Sequence, residues 1–437
     1  MSIPNHKTMA PRIGMSRIAP PPVGERPTES KPVWFVALLA LAQFGIFVAL
    51  LGPVMVSMAL KVGSLENPSM PATSMIGIIL GTGAIAAAFG NVFFGRLSDR
   101  TRSRFGRRRP WLVGGALVML LGLWLISVGT GILSLTIGWF VTQLGANAAL
   151  SAFMATLADQ LPEKQYARVS AVVGIMQNVG ILGAVWIATL FTANMSALFL
   201  VPGLIGVLAV VLYAAVLPDP VLTEQPPKFD VLEILRTFWV SPRKHPEFAL
   251  VWWQRFLVIL ASFLFTTFRL PFLMERLSLD EATGAAVMAQ GVLIYTIALV
   301  PVGYLVGWIS DKTGHRKLPV IVSVALFGIG TYLLFHVESV GHFFIVEALL
   351  GAAMGIYMGV DMAIVLSVLP NPKDAAKDLG VFNMANAGPQ SLAPYLGGFL
   401  LATAAPAGAA NYGLLLTVAA VASIIGALII LPIKKVK

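Results

Sequence analysis

Apolar and polar positions alternate along this chain in long blocks. Twelve runs, each dominated by apolar side chains, cover residues 33–60, 73–95, 111–130, 133–157, 169–192, 196–217, 248–274, 283–309, 318–336, 342–368, 379–404 and 410–432. A stretch of about 20 apolar residues is what an α-helix needs to cross the hydrocarbon of a bilayer, whose absence of water forces every backbone group to pair within the helix. The pattern therefore predicts an all-α membrane protein with twelve transmembrane helices.

Between the second and third runs lies the most polar stretch, Gly95 to Pro110, with seven arginines and one aspartate. It reads Gly-Arg-Leu-Ser-Asp-Arg-Thr-Arg-Ser-Arg-Phe-Gly-Arg-Arg-Arg-Pro. Each arginine at the centre of a membrane helix costs roughly 2.5–3.5 kcal/mol, so this segment belongs in water. A shortened copy follows 212 positions later, where Gly307-Trp308-Ile309-Ser310-Asp311-Lys312-Thr313 echoes Gly95 to Thr101. Beyond it the register continues at an offset of 208, with Leu161-Pro162 matching Leu369-Pro370, and Met176 and Asn178 matching Met384 and Asn386. The chain is thus two related halves, an arrangement frequent among secondary transporters.

The loop Gly-x-Leu-Ser-Asp-Arg-Thr…Gly-Arg-Arg-Arg resembles the signature loop of the major facilitator superfamily. Leu157-Ala158-Asp159-Gln160-Leu161-Pro162-Glu163 and the stretch from Val360-Asp361 to Gly388-Pro389-Gln390 are similar to its sucrose-transporter and glycoside–cation symporter branches. The resemblance implies two pseudo-symmetric six-helix bundles around a central cavity, working by alternating access. It also implies conformational gating roles for Gly95, Asp99, Arg100, Arg107, Asp159 and Asp311, with Asp99 binding across the interface near the start of a helix of the other half. Small residues are dense in the second, fifth, eighth and eleventh runs, which tight packing is enough to explain, and the resemblance adds the implication that these helices slide during transport.

Charge fixes the topology. With both ends inside, 26 of the 30 lysines and arginines fall in the tails and the loops on one side, as the positive-inside rule requires, and only Lys61 and Arg276 fall opposite. Arg255 and Arg269 lie within the seventh run. The expected division is a cytoplasmic tail over 1–32, a first bundle over 33–217, a cytoplasmic linker with a surface helix over 218–247, a second bundle over 248–433 and a tail over 434–437. The composition agrees, at 57% apolar, 11% charged and a mean hydropathy of +0.83. The net charge of +10 flanks the spans instead of forming a stripe, which excludes a nucleic-acid partner. Without cysteine there is no thiol chemistry. His6, His245, His315, His336 and His342 lie in tails, loops or helix ends without metal spacing, and no phosphate-binding glycine loop occurs. No metal, no cofactor and no enzymatic reaction are expected.

Ionisable residues inside spans are costly and mark function. Arg255, Ser262, Thr266 and Arg269 share one face of the seventh span, and Glu347 and Asp361 share one face of the tenth, with Tyr357 one turn before Asp361. Equal depths pair Arg255 with Asp361 and Arg269 with Glu347. The second pair is expected near the interface, where long side chains snorkel, as a structural bridge. The counterparts of Arg255 and Asp361 in the first half are Gln43 and Phe153, so the scaffold does not require charge there. Gln43 with Phe47, Gln143 with Asn147, and Asn383 with Asn386 supply neutral polar groups beside aromatic faces. Together these residues suit a polyhydroxylated small molecule as substrate, with a proton carried by Asp361 or, second, Glu347. The function expected is proton-coupled uptake of a sugar or glycoside by a monomer in the cell membrane, surrounded by lipid. Proton-antiport export of an amphipathic compound is the alternative, and a non-transporting scaffold a second.

Overall fold

The computed structural model describes residues 27–65, 70–221, 240–370, 375–403 and 410–433. Twelve long helices follow one another among these residues: α1 Val33–Gly63, α2 Ala72–Arg100, α3 Arg109–Val128, α4 Ile132–Gln160, α5 Glu163–Thr189, α6 Met195–Val216, α7 Pro246–Leu277, α8 Glu281–Thr313, α9 Lys317–Leu334, α10 Val340–Val368, α11 Ala375–Ala402 and α12 Tyr412–Ile430. Their ends match the apolar runs to within a few residues. Ten are long and apolar enough to span a membrane. The remaining two, α2 and α11, are 29 and 28 residues long, and the apolar part of α2 is shorter, Ala72–Ala87. The expected surface helix of the linker, most of the first tail and the last four residues lie outside the described residues.

Local sequence explains the irregularities. Pro53 has no N–H to donate, so α1 widens into a π-turn over Pro53–Ser57 before resuming its α-helical course. Glycine sets the closest helix crossings. A Cβ on Gly77 of α2 would stand 2.8 Å from the Cα of Gly398 in α11, and one on Gly81 would stand 2.7 Å from the Cβ of Tyr395. These contacts join the first six helices to the last six, and α5 packs on α8 across the same divide.

The two ends of the molecule differ. At the end away from the Gly95–Pro110 loop, one continuous apolar core contains residues of both halves, among them Met55, Met75, Ile79, Leu264, Phe268 and Leu401. At the loop end the cores are separate. One is built on Phe35, Phe153 and Tyr213 of the first half, the other on Phe248, Val360 and Phe382 of the second. Among the described residues, the apolar core shared by the two halves lies at the far end.

Basic residues fasten helix ends in symmetric pairs, as the negative pole of a helix C-terminus favours. At the loop end Arg109, the first residue of α3, donates to the carbonyl of Leu217 just past α6, and Lys317, the first residue of α9, donates to Leu431 just past α12 at 3.1 Å. At the far end Lys61 donates to Ser127 O at 2.9 Å in the last turn of α3, while Arg276 donates to Phe335 O and Val337 O at 2.8 and 2.9 Å beyond α9. The two exceptions to the charge partition are thus matching helix caps.

Candidate functional site

Helix α10 carries the chemistry because its inward stripe is interrupted by two acids. Val360, Ile364 and Val365, beside Asp361 on the helix, belong to the second-half core, and the residue is only 8% exposed. Its two oxygens have separate partners. Oδ2 accepts from Arg255 Nη1 of α7 at 2.5 Å, and Oδ1 accepts from the Tyr357 hydroxyl, one turn earlier, at 2.8 Å. The Arg255 guanidinium also lies 4.6 Å from the centre of the Phe382 ring of α11. A desolvated cation over a ring face keeps part of its stabilisation when its counter-ion is lost. Phe382 was not singled out by sequence, because an aromatic amid apolar neighbours carries no mark of its partner.

The second expected pair also forms. Arg269 Nη1 approaches Glu347 Oε2 at 3.0 Å. The expected snorkelling does not occur: Arg269 is 5% and Glu347 0% exposed. The reason is enclosure by neighbouring second-half helices: Phe265, Tyr295 and Leu416 surround Arg269, and a Cβ on Gly291 of α8 would stand 3.3 Å from Glu347 Cγ.

The neutral residues of the first half are distributed among its helix contacts. Asn147 donates to Gln143 O at 2.8 Å and to its Oε1 at 3.3 Å. Both side chains lie along the glycine face of α2, since a Cβ on Gly83 would meet Gln143 Cγ at 2.8 Å and one on Gly90 would meet Asn147 Cβ at 3.2 Å. Phe47 lies against Gly180 of α5 in the same way, at 2.9 Å. Gln43 is buried, and among the described residues its Oε1 has no donor. Asn386 is half-buried on α11, and the side chain of Asn383 lies outside the described residues.

The loop residues assemble around buried arginines. Asp159, at the end of α4, accepts from Arg107 Nη2 through Oδ1 and from Arg108 Nε through Oδ2, both at 2.9 Å. Arg108 also reaches Asp99 at 2.6 Å and Ser98 Oγ at 2.9 Å. Among the described residues Asp99, half-exposed, pairs with Arg108 of its own half. Gly95 and Arg100 are half-buried on the last turns of α2, and Asp311 is exposed near the end of α8.

Asp219 is the residue that sequence reading missed. Its Oδ2 accepts from the backbone N–H groups of Arg108 and Arg109 at 2.6 and 2.8 Å, capping the start of α3 from 110 residues away. Gly106 makes room with φ +97°, where a Cβ would fall 2.3 Å from the Asp219 carboxyl carbon. Burial raises the Asp219 carboxyl above the ordinary carboxylate range, against the downward pull of those N–H groups. The one sequence signal was Gly106 itself, ahead of three arginines.

A bundle of membrane-crossing helices in two related halves, with charge buried among the helices, is the architecture of a multi-pass membrane transporter. The sequence profile of the Major Facilitator Superfamily matches residues 33–306 and 270–437, and the chain belongs to that family. No curated protein matches in sequence. Among solved structures, the nucleoside transporter NupG superposes with a TM-score of 0.69 at 14% identity, covering 92% of this chain and 99% of that one. A bacterial homologue of the human lysosomal transporter Spinster, inward-facing and occupied, superposes with a TM-score of 0.65 at 13% identity, covering 92% and 95%. At such identities the likeness is one of fold.

Proposed function

We propose that this secondary transporter couples uptake of a sugar or glycoside to proton entry by alternating access, with Asp361 as the proton-carrying group and Arg255 as its partner. The observation that carries the reading is the Asp361–Arg255–Tyr357 cluster, a carboxylate held between two partners beside the seam where the halves share no core. The charge partition favours a cytoplasmic loop end, so the end with the shared apolar core would face outward. Protonation of Asp361 removes its attraction for Arg255 while Phe382 still supports the guanidinium, which lets the pair separate without stranding a bare charge. A sugar hydroxyl is a suitable donor to the unpartnered Gln43 Oε1, because a buried acceptor left without a hydrogen bond is costly. Glycosides, nucleosides included, add the ring face that Phe47 and Tyr357 accommodate.

The test is uptake by the purified protein in vesicles, with labelled sugars, glycosides and nucleosides, with and without an imposed pH gradient. Accumulation above equilibrium of at least one such compound, only when the gradient is present, is the expected result. Failure to accumulate any polyhydroxylated compound, or gradient-driven movement against proton flow, overturns the reading.

A further inference from the structure

The Arg269–Glu347 pair is built unlike the pair 14 residues along the same two helices. Each oxygen of Asp361 accepts a hydrogen bond, whereas among the described residues neither oxygen of Glu347 does, and Arg269 Nε donates to none. The 3.0 Å approach is close but misaligned. A carboxylate buried without hydrogen bonds has lost the hydration that supports its charge, and neutralisation is the general response to that cost.

A cavity adjoins Arg269. It is lined by Ser262 of α7, Tyr295 of α8 and Thr331 of α9, which bring hydroxyls, with apolar side chains such as Phe265 and Leu416 elsewhere. Arg269 and Tyr295 are the charged and titratable groups on this site, and α9 and α12 add only neutral side chains to its walls. The guanidinium lies 5.3 Å from the centre of the Phe265 ring and 5.6 Å from that of Tyr295, so it keeps cation–π support when Glu347 is neutral, as Phe382 provides for Arg255. The repeat places Ser57 and Trp139 at the corresponding positions of the first half, so the scaffold does not need this pair.

We propose that Glu347 is a second proton-binding site, served by water in the cavity beside Arg269, and that it acts in series with Asp361. Glu347 lies seven residues from the start of α10, about 10 Å from the external end, and Asp361 lies about 21 Å further along the same helix. When alternating access opens the far end, a proton from outside water neutralises the Glu347 carboxylate, Arg269 keeps its charge between two rings, and no other bond forms or breaks. The transport readout below rests on the proton-coupled reading; the spectroscopic one does not.

The experiment is infrared difference spectroscopy of the full-length protein in vesicles between acid and neutral pH, with uptake measured in parallel. A protonated-carboxyl band absent in Glu347→Gln and present, displaced, in Glu347→Asp is expected. In uptake, Glu347→Gln should lower the accumulation ratio about tenfold at a gradient of one pH unit, the share of one coupled proton. If the lone Arg269 charge prevents that variant from folding, Glu347→Gln with Arg269→Gln removes both charges and gives the same spectroscopic answer. A carboxyl spectrum unchanged by loss of Glu347 overturns the proposal. Wild-type protein that shows the band but no pH-driven accumulation overturns the coupling reading and leaves the proton site standing.

Discussion

The first half ends its loop with ions and the second half ends the equivalent loop with backbone. Arg107 and Arg108 close on Asp159 at 2.9 Å, whereas 208 residues later the acid's position is Ser367 and Arg316, the counterpart of Arg108, donates to Ala363 O at 2.6 Å. Deep in the membrane the asymmetry reverses: the second half carries two arginine–carboxylate pairs where the first carries Gln43, Phe153, Ser57 and Trp139. What both halves share is the set of cation-to-carbonyl caps at helix ends, so those serve the scaffold. What differs is where charge is held: the first half keeps it at the loop as electrostatic anchors, and the second half keeps it deep in the bundle, where we propose that it carries the proton.

Removing the acid should break that contrast most severely. Asp159→Ala takes from Arg107 its carboxylate partner and leaves Arg108, 4% exposed, with Asp99 alone, and should destabilise the protein by about 3 kcal/mol, while Ser367→Ala should stay within about 0.5 kcal/mol. Thermal unfolding of both variants in detergent reads the difference. Next comes the turn. Gly106→Ala should cost about 2–3 kcal/mol, because a left-handed residue gains a Cβ that collides with Asp219. Gly314→Ala in the second loop, with φ +71° and open space around it, should cost about 1 kcal/mol by the same assay.

The smallest effect concerns the cap. Asp219→Asn keeps an acceptor but removes the charge, and should cost no more than about 1 kcal/mol near neutral pH. Its sign with pH is definite. A native carboxyl raised by burial binds its proton more tightly than the unfolded chain does, so Asp219 favours folding most at low pH and loses that contribution as pH rises from about 4 through the native value. Unfolding of Asp219→Asn should therefore depend less steeply on pH across that window, and an unchanged slope would remove Asp219 from the titrating set.

Much of this is legible in the sequence. Apolar run length gave the helices, and equal depth on shared faces gave both arginine–carboxylate pairs, since height along a helix follows from residue count. Neighbours were not legible. The polar stripe at Gln143 and Asn147 reads the same whether it faces a cavity or the glycines of α2, and only the fold decides. Depth placed Arg269 and Glu347 near the outside without revealing that neighbouring second-half helices enclose them. Asp219 escaped because its partners are backbone N–H groups, which every residue but proline carries, positioned by a turn 110 residues earlier.

The central claim is that charge in the second half carries the proton, and Asp361→Asn tests it most directly. In vesicles the variant should exchange substrate across the membrane at close to the wild-type rate, because Tyr357 and Arg255 remain, while losing uphill accumulation in a pH gradient. Accumulation against the gradient with an unaltered pH response would contradict the account.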